Sequence, residues 1–363
     1  MSGITQSNFS SACPSDEMKE SEISNVKFVK TVLMFLIILG HACDNWAGNW
    51  FTETPAIESK GLSILATWLN SFHIFAFTLI SGYLFAFKIL RGGYGNYFKF
   101  LQNKAKRLLI PYVFSMLIWV APLSVYFFNY EMDYLIEKYV LCINPGQLWF
   151  LWMLFGVFVF VWPFRNLMME KPSIGWLIAF GFYGVGSIGG RIIPNIFCIW
   201  TACKYVIFFY VGMRLRVKSE KKENLFIEKI PWFGWVVVDL LLFVGSLRIT
   251  GQGEIVKLIA MGLSFMLHMI GAIMAWIVLQ MLSNHVQWKE SRGFNKLSTY
   301  SMPMYLFHQQ IIYFSLTILD GVVSPWINAG VNFIVATVGA YVISAILMKW
   351  KITRFLVGEK LSV

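Results

Sequence analysis

Ionisable side chains inside apolar stretches are where this sequence could do chemistry: His41, Asp44, His73, Lys204, His268 and His308. Such groups are expensive to bury in a bilayer, so each is a candidate for function. His41 lies in the second half of the first apolar stretch, KTVLMFLIILGHACDNW, eleven residues after Lys30. Eleven helical steps turn the chain through about 1100°, so the two share a face about 16 Å apart along the axis. Asp44, about one turn past His41, is placed to orient its ring. A neutral imidazole held by a carboxylate is suited to take a proton from an alcohol. The same spacing also fits a packed histidine with Lys30 as a snorkelling flank, and spacing alone leaves both readings standing.

His308 lies in KLSTYSMPMYLFHQQII, where a helix would put Tyr305 and Ser301 on its face. His73 lies in SFHIFAFTLISGYLF and reads, taken singly, as a packed polar residue. His268 has no acid nearby and reads as structural. Lys104 and Arg107, three apart in a basic segment, would face one side of a helix. Such a pair can grip phosphates like those of coenzyme A, or can be ordinary cytoplasmic-loop charge.

Composition says what kind of element must hold these residues. The 363-residue chain is 57% hydrophobic and 13% charged, against about 25% charge in a typical soluble domain. One soluble core could not hide that much apolar surface, so a lipid bilayer must cover part of it. A crossing needs about 20 apolar residues. Ten membrane helices are therefore predicted, at roughly 28–47, 62–87, 108–128, 148–164, 173–188, 196–213, 231–248, 255–282, 298–318 and 328–348. The fifth is short and rich in glycine.

The net charge is +11. Lys and Arg fall in short runs between apolar stretches, which reads as loops on the cytoplasmic face and not as a nucleic-acid surface. With the N-terminus inside, only Lys60, Lys138, Arg191, Arg248 and Lys257 lie outside, and Lys204 within a span. That asymmetry predicts both termini in the cytoplasm. The fold expected is all-α, a polytopic membrane helical bundle over residues 26–350. Residues 1–25, polar and rich in Ser and Glu, are expected as a disordered cytoplasmic tail, and residues 351–363 as a short cytoplasmic one.

Some readings are excluded. The five cysteines form no CxxC and are expected as free thiols, with no metal site. The run Gly184-Val185-Gly186-Ser187-Ile188-Gly189 matches GxGxxG literally. It follows no strand and lacks the acidic residue about 20 positions on, so it is no dinucleotide site.

Five patches together resemble the membrane-bound acyltransferase 3 family, over about residues 24 to 350. They are Lys30 to His41; SFHIFAFTLISGYLF, ending in the Ser81-Gly82 step; KAKRLLIPY; QLWFLWMLF; and STYSMPMYLFHQ. The resemblance implies an enzyme that O-acylates sugars of surface glycans, using acetyl-CoA or another acyl-CoA as donor. It implies His41 as the catalytic histidine, Lys30, Lys104 and Arg107 near the donor, and Tyr305 and His308 lining the site. His73 and Ser81 are expected as further pocket residues. Lys30 and Lys104 stand where the family often has Arg, which keeps the charge and loses the bidentate fork. The chain after residue 350 is too short for the fused esterase domain of some relatives, so direct transfer to a sugar or lipid-linked glycan is expected. The location implied is the inner (cytoplasmic) membrane. Direct attack and a covalent acyl-histidine both remain open. So does a different class, a transporter or flippase, although no internal repeat is visible.

Overall fold

The structure, a computed structural model, describes residues 14–359 apart from 49, 50, 52, 53, 94, 222–228, 250 and 252, with side chains from residue 22 onward. Its regular elements are helical. In chain order they are α1 (Pro14–Cys43), α2 (Lys60–Leu90), α3 (Tyr97–Ser115), α4 (Ala121–Phe128), the short α5 (Met132–Leu135), α6 (Trp149–Glu170) and α7 (Pro172–Ile192). Then follow α8 (Ile199–Glu220), α9 (Trp232–Arg248), α10 (Glu254–His285), α11 (Arg292–Leu319), α12 (Pro325–Leu347) and the short α13 (Lys351–Leu356). Local signals set several starts. Ser59, Asn96 and Ser291 each accept a hydrogen bond from the backbone N–H three residues on, and Pro172 and Pro325 occupy first turns.

Each expected apolar segment falls on a helix. Among the described residues, eight stretches are long and apolar enough to cross a membrane: α1, α2, α3–α4, α6, α7, α8, α10 and α12. The other two long helices are α9, 17 residues, and α11, a continuous helix whose apolar sequence is broken by the polar run His308-Gln309-Gln310. The chain is a polytopic helical bundle.

Lipid tails are as apolar as Leu, so close packing holds such helices together, and small residues permit it. The crossing of α2 and α8 depends on two glycines. A Cβ on Gly82 would stand 1.9 Å from the carbonyl oxygen of Phe209, and one on Gly212 would stand 1.8 Å from that of Leu79. The two backbones therefore touch. Around this crossing, Leu79, Phe85, Phe209 and Tyr210 are fully buried.

Helix α1 starts at Pro14, inside the segment expected as a disordered tail; residues 1–13 lie outside the described residues. The physical reason lies in distant partners. Arg216, buried on α8, donates to Glu22 at 2.8 Å and also to Glu220. Tyr83 donates to Glu22 as well. Asn25 accepts from Ser283 at 2.8 Å and from Lys289 at 2.6 Å. At the other terminus α13 folds back over α3. Gly358, at φ +87°, sits so close that a Cβ would stand 2.9 Å from the carbonyl oxygen of Arg107.

Between α3 and α4 the chain makes a π-helical turn, Met116–Val120. Such widened turns re-aim side chains. Here the indole of Trp119 donates to the carbonyl of Phe307 at 3.1 Å, tying α3 to α11 beside His308.

Candidate active site

His41 sits near the end of α1, before a 3-10 turn at Asp44–Trp46. Gly40, its neighbour, faces α2 at ordinary contact distance. A Cβ there would lie 3.6 Å from Asn70, 3.7 Å from Leu69 and 3.9 Å from His73. His308 comes from the middle of α11 and is fully buried. Its Nε2 lies 2.7 Å from Nδ1 of His41, with the rings tilted by 13°.

The hydrogen-bond partners fix the tautomers. His308 Nδ1 lies 2.8 Å from the carbonyl oxygen of Tyr305. A carbonyl only accepts, so Nδ1 carries the proton. With both rings neutral, His308 Nε2 is then an acceptor and His41 Nδ1 its donor. The lone pair of His41 falls on Nε2. That is the tautomer a general base requires, with a second ring to steady the imidazolium that forms.

The expected partner of His41 was Asp44. The structure gives the Nδ1 position to His308, while the Asp44 carboxylate accepts from Asn70 at 2.6 Å. Asp44 thus braces α1 against α2. Tyr305 donates its hydroxyl to the carbonyl of Gln147, and the Gln147 amide pairs with that of Gln310 at 2.8 Å. Ser81 donates to the carbonyl of Phe77 at 3.0 Å and does not line the cavity beside His41.

That cavity measures about 290 Å³ and is lined by His41, Asn70, His73, Ile74, Phe75, Gln147, Trp149, Tyr205, His268 and Tyr305. His41, His73 and Tyr305 are thus brought together. His268 was expected to be structural, yet it lies on the same wall. It stacks on Phe75 at 4.1 Å, and Phe75 stacks on Tyr205 at 5.0 Å. Nothing local in the sequence marks His268, because its partner, the carbonyl of Ser71 at 2.9 Å, comes from another helix.

The basic residues separate. Lys30, half-buried on α1, is in electrostatic reach of Arg107 and Glu359. Lys104 instead places its ammonium 3.7 Å from the ring centroid of Phe158, a cation–π contact. A basic end therefore lies on the same helix as His41, about 16 Å along α1. Among the described residues no group of three or more His, Cys, Asp and Glu is arranged to hold a metal. Cys43, Cys142, Cys198 and Cys203 are buried free thiols.

A multi-pass helical bundle that pairs two imidazoles, one of them on a cavity wall, with a basic end further along the same helix, defines an integral membrane protein with a histidine site within the bundle. The profile of the family described as Acyltransferase domain, of the acyltransferase 3 type, matches residues 23–349. The chain belongs to that family and is a membrane acyltransferase. No curated protein and no solved structure matches it.

Proposed function

We propose that this protein is an O-acyltransferase of the cytoplasmic membrane. In this reading it moves an acyl group, acetyl in the simplest case, from acyl-CoA to a hydroxyl of a lipid-linked sugar or surface glycan. Both termini lie in the cytoplasm. The observation that carries the reading is His41 on the cavity wall, paired from behind with the buried His308, with Nε2 of His41 as the lone-pair nitrogen.

The donor's phosphates meet Lys30 and Arg107 at the basic end, where a guanidinium can take them bidentately. Lys104, held over Phe158, contributes positive field more than direct contact. The thioester arm runs along α1 toward His41. His41 takes the proton of the acceptor hydroxyl, and the oxygen attacks the thioester carbon. The C–S bond breaks, and the sulfur of coenzyme A leaves with the proton His41 had taken. His308 steadies the imidazolium through its hydrogen bond. Tyr305 and Asp44 are positioning residues, because the hydroxyl of one is committed to Gln147 and the carboxylate of the other to Asn70.

The test uses purified protein in detergent. Acetyl-CoA is expected to raise the melting temperature of the wild type and of His41→Ala, and not of Lys30→Ala or Arg107→Ala. Transfer to a glycan acceptor is expected to vanish with His41→Ala. Absence of any stabilisation by acetyl-CoA in folded wild type would refute the donor assignment and favour a transporter.

A further inference from the structure

We infer that the cavity recognises its acceptor as a diol, with His73 accepting a hydrogen bond from the hydroxyl next to the one that reacts. The inference rests on the proposed role of His41 and deepens it.

His73 is 2% exposed and lines the cavity. Its Nδ1 faces the carbonyl of Leu69, so Nδ1 carries the proton and Nε2 of the neutral ring is an acceptor. His41 reaches the same state through His308: its lone pair is on Nε2. Asn70, which also lines the cavity, gives its NH2 group to Asp44 and so has only its carbonyl oxygen, an acceptor, left to offer. The wall made by α1 and α2 thus presents acceptors. His268 differs, because its Nδ1 donates to Ser71 and its Nε2 accepts from Ser264 at 3.1 Å; it stacks and takes no ligand.

A wall of acceptors needs a ligand that brings donors. Hydroxyl groups on adjacent carbons supply two, one for each imidazole. His73 and His41 line the same cavity and lie within electrostatic reach of each other. A volume of about 290 Å³ has room for a six-membered ring, since a cavity of about 150 Å³ already holds benzene. A mono-alcohol would satisfy His41 and leave His73 desolvated without a donor, the situation in which hydrogen-bonding sites discriminate strongly. In the reaction one hydroxyl forms the new C–O bond and loses its proton through His41, while the neighbouring hydroxyl is unchanged.

The experiment compares two probes of one shape, cis-cyclohexane-1,2-diol and cyclohexanol, as acceptors for purified protein with radiolabelled acetyl-CoA. The wild type is expected to acetylate the diol at least about tenfold more efficiently, in kcat/KM. His73→Phe keeps the ring volume and removes the acceptor, and should bring the two probes within about twofold, with acetyl-CoA stabilisation unchanged. His73→Gln restores an acceptor and should restore part of the preference, which also covers a poorly folded Phe variant. A diol preference that survives His73→Phe overturns the inference, as does equal use of both probes by the wild type. Failure to acetylate either probe, in protein that acetyl-CoA stabilises, also overturns it and leaves the donor half standing. Loss of both stabilisation and transfer sinks the proposed function itself.

Discussion

Replacing His308 with phenylalanine tests the two-ring arrangement directly. The substitution keeps a flat ring in a fully buried site and removes the acceptor that lies 2.7 Å from His41 Nδ1. In the resting enzyme, Nδ1–H then loses its partner, a cost of about 1–3 kcal/mol for a buried group. Equal weakening of ground and transition states would leave kcat unchanged. The states differ because the bond becomes charge-assisted once His41 holds the acceptor's proton, and such bonds are roughly twice as strong. The differential loss is therefore about 1–3 kcal/mol, or roughly 5- to 150-fold in kcat. His308→Gln, which offers an amide oxygen, should recover part of it. The assay is release of free thiol from acetyl-CoA in the presence of acceptor, with acetyl-CoA melting shifts as the control for donor binding. A kcat for His308→Phe within about threefold of wild type, in protein that melts normally, would refute the reasoning.

The two inner basic residues should differ: Arg107→Gln is expected to raise the KM for acetyl-CoA by about tenfold or more, and Lys104→Gln by less than threefold, because the Lys104 ammonium rests on Phe158. Equal effects in steady-state kinetics would count against that division. Gly212→Ala should lower the melting temperature sharply, since its Cβ would overlap the backbone of Leu79 and overpacking costs about 1–3 kcal/mol or more; an unchanged melt would contradict the backbone contact. Burial pushes the Cys142 thiol from 9.0 up to about 11. At neutral pH its thiolate population is then about a hundredfold below that of an open cysteine. Maleimide should label it only after unfolding, and rapid labelling of native protein would contradict its burial.

Long apolar runs announced the helices, since a bilayer-spanning segment needs little beyond length and apolarity. The start of α1 was hidden for the opposite reason. Residues from 14 onward look like a solvated tail until Glu22 is seen against Arg216, 194 residues away. The site divides the same way. Spacing could place Lys30 and His41 on one face, because that is a property of one helix. It could not tell that Asn70 would engage Asp44 and leave His308 facing His41, because both contacts cross between helices. His268 was unreadable on the same ground: Ser71 and Phe75 locate it, and both lie on α2.

The return of the chain over α3 has a spectroscopic use. Glu359 ends within electrostatic reach of Lys30, one residue beyond the point where Gly358 rests on Arg107. In a Cys13→Ser background, an environment-sensitive dye on Glu359→Cys would therefore sit beside the basic end, while Cys43, Cys142, Cys198 and Cys203 are shielded by burial. Its emission would report the arrival and departure of polyphosphate ligands in real time, with the histidines left untouched.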